Sequence, residues 1–475
     1  MSWNPPLELD LDTMRSMAAR VSDLVTAHLV SLREQPARTS LSRPEARRLV
    51  GTIAPIAPEQ GIGFDAALNE LTERVLPYHA REPHPRFLGY VPSIPTFPAV
   101  LGDWLATGYN FFAGVWPIAS GPNEIELTVI DWFRQWLGMP NETSGLLTSG
   151  GSTATLMAVV AARHARVGQD ASLLPRLTLY TSSQAHSAVA RAAWIVGVAR
   201  ENVRLLPADD ACRLRPEIVR NAVAADRAAG RVPFLVVASA GTTNTGAVDD
   251  IAGLATLCEG ESLWLHVDAA YGAFAALTAR GRELLGGIER ADTVVLDPHK
   301  WLFVPFECGC LLARRPAALK DAFHILPEYL TDVAPGEAEV NFADYGEQLT
   351  RYARALKVWL SVRTFGLAPI RASVERGIAM AEYAESLVRR EPLLEVLAPA
   401  QLGILCFRAH PRGMDSPADL DALNERVNAA VNASGWFLIS STRVNNAFSL
   451  RLCTHNWRTQ ETDLDELFAL ITKSV

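Results

Sequence analysis

Between residues 177 and 315, short apolar runs rich in β-branched residues alternate with amphipathic helical segments. No other feature of the chain constrains its fold as tightly. LTLYTS at 177–182, VRLLP at 203–207, PFLVVASA at 233–240, SLWLHVDAA at 262–270, TVVLDPHK at 293–300 and CGCLLARR at 308–315 read as strands. SAVARAAWIVG, PEIVRNAVAADRAAG (ended by Gly230) and DIAGLATLCEG read as helices between them. Strands that are apolar on both faces, joined through helices, predict an α/β fold whose sheet is large, mostly parallel and covered on both sides.

The flanks are organised differently. Leu9, Leu11, Met14, Met17, Val21, Leu24, Val25 and Leu29 recur at helical spacing and predict a helix within 9–35, with a second over 64–75. Such an arm has no core of its own, so residues 1–82 are expected to pack on something larger. Residues 83–98 form a proline-rich, aromatic loop, and 124–137 an amphipathic helix. A long helix is predicted over 345–363, broken by Gly366. A helix at 370–390, a strand at GILCFRA, a helix at 417–434, strands at FLISST and FSLRLC and a helix at 461–473 follow. The reading is an arm at 1–82, a large domain at 83–365 and a small C-terminal α/β domain at 366–475.

Composition removes several classes. Forty-four Lys and Arg against 52 Asp and Glu give a net charge of −8, which argues against nucleic-acid partners and a polybasic membrane protein. The six cysteines form no C-x-x-C, so neither a metal site nor a disulfide framework is expected. The uncharged stretches 104–123 and 143–162 are too rich in glycine, proline or hydroxyl residues to span a membrane. The acidic, proline-bearing start MSWNPPLELDLD does not read as a signal peptide, and a cytoplasmic enzyme is expected.

Five fragments can carry chemistry. Lys300 in LDPHKW follows a buried strand, where a lysine can act as a Schiff-base nucleophile. Asp268 in HVDAAYG follows the preceding strand, one βαβ unit earlier, so both side chains reach the same rim. TSGGSTATL at 148–156 opens an apolar helix with small and hydroxyl residues, which suits a phosphate. His186 in SSQAHSAV stands where a strand meets a helix, and AGTTNTGAVDD at 240–250 brings Thr243 and Asp249 to a strand end. Each fragment alone is commonplace: an exposed lysine, a capping aspartate, a Gly-Ser turn. A phosphate cradle, a carboxylate, a lysine and a histidine on one rim is the set that pyridoxal 5'-phosphate needs.

These motifs, with HPRFLGY, DWFRQWLG and RALKVW, resemble the group II pyridoxal-phosphate-dependent amino-acid decarboxylases, specifically their aromatic-L-amino-acid branch. The resemblance runs from about residue 8 to the C-terminus. It implies the fold type I, aspartate-aminotransferase-like architecture and a homodimer with its active site at the subunit interface. It gives Lys300 the Schiff base, Asp268 the pyridinium nitrogen and His186 the ring face. Gly151 and Ser152 would bind phosphate with Asp297 and His299 near the same end, while Thr243 and Ala270 contact the ring and Asp249 supports them. Tyr90, Val91, Pro92, Ser93, Phe112 and Gly114 would line the substrate pocket, with Gly114 removing bulk.

The implied reaction is decarboxylation of an L-amino acid, aromatic by this branch, to an amine and CO2. In the family a loop tyrosine protonates Cα. Counting back from LKVW puts Phe342 at that position, whereas counting back from Gln348 puts Asp344 there, beside Tyr345, the candidate donor. A phenylalanine would turn the reaction toward an aldehyde, ammonia and peroxide, as in the aldehyde-synthase relatives. Acidic or aliphatic substrates form a further alternative, for which Arg86 and Arg351 are the candidate cations, both reading as surface arginines.

Overall fold

Six strands that share one direction make up most of the large sheet of the computed structural model, which describes residues 7–168, 170–325, 328, 336 and 338–475. The large sheet comprises β1 (Ser144–Thr148), β2 (Leu177–Ser182), β3 (Val203–Leu206), β4 (Val232–Ser239), β5 (Trp264–Asp268), β6 (Thr293–Leu296) and β7 (Gly309–Ala313). Their order is β1-β7-β6-β5-β4-β2-β3. The pairs β2–β3, β2–β4, β4–β5 and β5–β6 are parallel, while β7 runs against both β6 and β1. Helices in the connections bury their apolar faces on the sheet, as in Gly151–Val167, Pro216–Ala228 and Ile251–Glu261.

The reversal of β7 has a local cause. TVVLDPHK is not one strand: β6 stops at Leu296, and Pro298, with its ring-fixed φ, starts the short helix Pro298–Trp301. The chain then stays at the carboxyl rim, where the His299 N–H bonds Cys308 C=O (3.2 Å), so it re-enters the sheet from that end.

The smaller sheet is β8 (Leu394–Gln401), β9 (Ile404–Ala409), β10 (Ser440–Val444) and β11 (Ala447–Cys453), ordered β10-β11-β9-β8 and wholly antiparallel. Helices Leu367–Arg390, Pro417–Ala433 and Glu461–Ser474 supply buried residues to its core. Residues 86–88 belong with this sheet: Leu88 N–H bonds Leu438 C=O and Cys453 N–H bonds Leu88 C=O, both 2.8 Å. At the N-terminus, helices Leu11–Val30, Arg43–Leu49 and Phe64–Arg74 bury no residue.

The long helix expected over 345–363 begins only at Ala355, after a short turn of helix at Phe342–Tyr345. In a helix the Arg351 carbonyl would accept from the amide four residues on. Here it accepts from Ala113 N–H (3.1 Å), so the segment crosses to another part of the fold. Arg351 is not a surface arginine. It is buried against Glu126 (2.6 Å) and also donates to the carbonyls of Ala113 (3.0 Å) and Leu147 (2.7 Å). Arg86 is partly exposed and pairs with Asp463 (3.0 Å) and Glu466 (2.6 Å).

Removing one partner of a buried ion pair strands the other charge. Arg351→Met should therefore lose about 3–5 kcal/mol in urea unfolding of the holoenzyme. Arg351→Met with Glu126→Gln should lose clearly less, because glutamine keeps the acceptor for Leu147 N–H (2.8 Å) without the charge.

Candidate active site

The carboxyl ends of β1, β2, β4, β5 and β6 open onto one cavity of about 360 Å³. Each strand delivers its residue within a few positions of its end. β5 ends in Asp268, whose Oδ1 accepts from Ala270 N–H (3.2 Å) and whose carbonyl accepts from Ala240 N–H (2.8 Å) of the β4 side. β6 leads into Asp297 and Lys300, and Lys300 Nζ lies 2.9 Å from Asp297 Oδ2. Beyond β2, His186 Nδ1 accepts from Ala188 N–H (3.2 Å), which fixes the ring at the start of helix Ala188–Ile195.

The phosphate end is built from the start of helix Gly151–Val167. Gly151, Ser152 and Thr153 line the cavity there, and the first turn holds no acidic residue. These first amides have no helical acceptor and face the opening with the positive end of the helix. His299 is nearby, with Nδ1 2.6 Å from Cys308 C=O, and burial pushes its pKa below the usual histidine value. Asp297 Oδ1 is buried without a protein partner. A Cβ on Gly151 would come within 3.0 Å of Asp297 Oδ2 and 3.1 Å of Ala270 Cβ, so the cradle needs glycine for close approach.

An amine, a helix-start anion cradle and a strand-end carboxylate around a cavity of this volume fit a flat, anionic, carbonyl-bearing ring. Pyridoxal phosphate matches that donor set. Gly151, Ser152, His186, Thr243, Asp268, Ala270, Asp297, His299 and Lys300 all line this one cavity. The sequence reading missed Ser239 and Tyr271, which line it too, although Ser239 ends a strand and Tyr271 stands inside HVDAAYG. Asp249 sits just behind, accepting from Leu214 N–H and Ser239 N–H (2.7 Å each). Burial outweighs those bonds and pushes its carboxyl up to about 7.

The residues expected for the substrate side are not brought into the cavity of the single chain. Ser93 is buried, with Oγ on Val304 C=O (3.1 Å), and Pro92 C=O meets His455 Nε2 at 2.6 Å. Tyr90 is exposed, and Val91 and Phe112 are partly buried. Gly114 does not widen a pocket: the place of its missing Cβ is filled by the Leu349 carbonyl. Phe342 is fully buried, with the Arg351 guanidinium 4.7 Å from its ring centre. Asp344 meets His324 (3.1 Å). Tyr345 packs half-buried on the large core, its pKa raised first by burial and then by Asp344, and it does not reach Lys300's cavity. Part of the expected loop, 329–335, lies outside the described residues.

Residues 46–410 match the pyridoxal-dependent decarboxylase conserved domain. The chain is 36% identical over 467 residues to the aromatic-L-amino-acid decarboxylase of Bacillus atrophaeus, covering 98% of this chain and 96% of that one. It is 29% identical over 475 residues to the phenylacetaldehyde synthase of Arabidopsis thaliana, covering 98% and 96%. The solved structure of Oryza sativa TDC with PLP and tryptamine superposes with a TM-score of 0.93 at 29% identity, covering 99% of each chain.

Two measurements test the geometry. Gly151→Ala should weaken pyridoxal phosphate binding by about tenfold in titration of the apoprotein, with an unchanged circular dichroism spectrum. His266, two residues before Asp268, and His455 are fully buried, and burial lowers their pKa values to about 4 and about 3. The proton then prefers the unfolded chain. The stability these neutral rings permit is complete above pH 6.5 and lost as pH falls from there toward 4. Denaturant unfolding should show a slope steepening by about 1.4 kcal/mol per pH unit for each histidine, relieved in part by His266→Gln.

Proposed function

The chain belongs to the pyridoxal-dependent decarboxylase family, and from that premise we propose that it converts aromatic L-amino acids into their amines and CO2. The observation that carries this reading is the convergence of Lys300, Asp268, His186 and the Gly151–Ser152 cradle on one cavity. Bound pyridoxal phosphate supplies the electron sink that takes up the charge left when the carboxylate departs.

The chain's own residues do the rest. Lys300, whose Nζ lies 2.9 Å from Asp297 Oδ2, would hold the cofactor through its amine and make way for the substrate amine. Asp268 would hold the ring nitrogen by a hydrogen bond and favour its protonated form, and His186 would lie against the ring and help orient the substrate. The helix-start amides of Gly151 and Ser152 would hold the phosphate, and Thr243 and Ala270 would contact the ring. Tyr90, Val91, Pro92 and Ser93 form one wall for the substrate side chain, with Phe112 near it.

The aromatic assignment has support on the page. Lys300 is the only Lys or Arg among the described residues lining the cavity, and it is held by Asp297. Arg86 and Arg351 are committed to Asp463, Glu466 and Glu126. An acidic side chain would therefore meet no free counter-charge there, whereas relatives named for tryptophan and tyrosine decarboxylation span nearly the whole chain.

Cα needs a proton, and a loop phenol is the group to deliver it. Tyr345 is taken up in packing. With Phe342 buried in the core and Tyr345, the candidate donor, packed outside the cavity of the single chain, amine against aldehyde is decided by product analysis.

The enzyme works as a homodimer in this proposal. Leu11, Met14, Val21 and Leu24 on the first helix, and Trp104, Leu105 and Tyr109 on Phe97–Tyr109, are exposed apolar side chains that a second copy would cover. All six cysteines are buried and free, which fits a reducing cytoplasm, and no helix among the described residues is long and apolar enough to cross a membrane.

Product analysis tests the reading. Holoenzyme given L-Phe, L-Tyr, L-Dopa, L-Trp, L-Glu and L-Asp in air should yield aromatic amines without matching peroxide. Tyr345→Phe should not divert product to aldehyde, because that ring packs on the core outside the cavity. Borohydride should fix the cofactor on Lys300, and Lys300→Ala should abolish turnover. Aldehyde from the unaltered enzyme would favour the synthase chemistry of the Arabidopsis relative.

A further inference from the structure

Arg451, on β11, is a buried cation with no described carboxylate paired to it. Burial of an uncompensated charge is costly, so its contacts carry information. Nη1 donates to Tyr90 C=O (2.7 Å) and Ser440 Oγ (3.1 Å), and Nε to Thr243 C=O (2.9 Å) and Asn244 C=O (3.1 Å). One guanidinium thus joins three segments: the loop holding Tyr90, the turn holding the cavity residue Thr243, and β10.

Tyr90 needs that restraint. Its φ is 51°, in the left-handed region that disfavours a tyrosine. Both of its backbone groups are tied to the same pair, the N–H to Ser440 Oγ (3.2 Å) and the C=O to Arg451. The side chain itself is 66% exposed and meets the edge of its own loop at Phe87 (6.5 Å between ring centres), so its direction depends on how the backbone is held.

We propose that Arg451 is a positioning residue that sets the substrate wall at Tyr90 and the turn at Thr243 together, so that the small sheet governs substrate affinity. The proposal rests on the assignment of residues 90–93 to the substrate wall. Arginine suits the task because its planar fork reaches two segments at once, whereas a lysine ammonium would satisfy one cluster of carbonyls and release the other.

The test uses holoenzyme variants Arg451→Lys and Ser440→Ala, the latter a mild change that keeps the charge. Both should raise KM for the preferred aromatic amino acid by about tenfold, with a smaller change in kcat and full pyridoxal phosphate content. In a Tyr90→Ala background, Arg451→Lys should add less than about threefold, because the residue it positions is gone. Hydrogen–deuterium exchange should speed up together in peptides covering 88–93 and 242–246 of Arg451→Lys, without faster exchange in the large sheet. Unchanged KM in both variants, additive effects in the Tyr90→Ala background, or exchange that rises at only one of the two segments would overturn the proposal. If the parent enzyme turns over no aromatic amino acid, the aromatic reading fails, while the exchange data still decide whether Arg451 couples the two segments.

Discussion

The site depends on strand direction. β1, β2, β4, β5 and β6 point the same way, so Gly151, His186, Thr243, Asp268 and Lys300, spread over some 150 residues, arrive at one rim. Each stands at a strand end or a few residues beyond it, so its place follows from where the strand stops and what begins there. At β1 it is the Gly-Ser start of a helix, at β5 an aspartate in register with Ser239 of β4, and at β6 a proline that opens the short helix carrying Lys300. The backbone builds the constellation, and the side chains have little distance left to cover.

That explains what could be read in advance. Strand, turn and helix start are local patterns, and the chemistry sits on those junctions, so residues of the cavity are visible as motifs. What stays hidden depends on contacts far apart in sequence. The SGLLT strand is short and runs straight into the cradle motif, so the sequence pattern does not mark it as a strand of its own. The stretch 346–354 has helical spacing, yet its conformation is set by Glu126 and Ala113, more than 220 residues earlier. Gly114 looks like freed space until the Leu349 carbonyl is found in it. Arg451 carries no motif, and only its burial among carbonyls marks it.

The segment leading into helix Ala355–Phe365 shows how the loop after Lys300 is held from behind. Arg351, Arg354 and Lys357 follow at intervals of three and are all buried. Arg351 ties the β1 edge through Leu147 C=O and Glu126. Arg354 reaches Glu307 (2.9 Å). Lys357 pairs with Asp103 (2.9 Å) and donates to the carbonyls of Pro305, Phe306 and Glu307. The loop that follows Lys300 therefore has its carbonyls satisfied from the side away from the cavity, while His299 fastens it at Cys308 on the near side.

The same arrangement bears on what the site can accept. A cation near a cavity can serve a substrate only if its donors are free. The three behind the Lys300 loop pair with Glu126, Glu307, Asp103 and backbone carbonyls, and Arg451 with Tyr90, Thr243 and Asn244, while Arg354 Nε and Nη1 and Arg451 Nη2 are buried without a described protein partner. Positive charge here is used to hold backbone in shape around an aromatic cofactor. On the proposed reading, selectivity falls to shape and to the wall assigned to Tyr90, which Arg451 connects to the turn at Thr243. On that reading, recognition of substrate and seating of the cofactor would be linked through one buried guanidinium, which gives the fold a reason to keep a charge there that no described carboxylate balances.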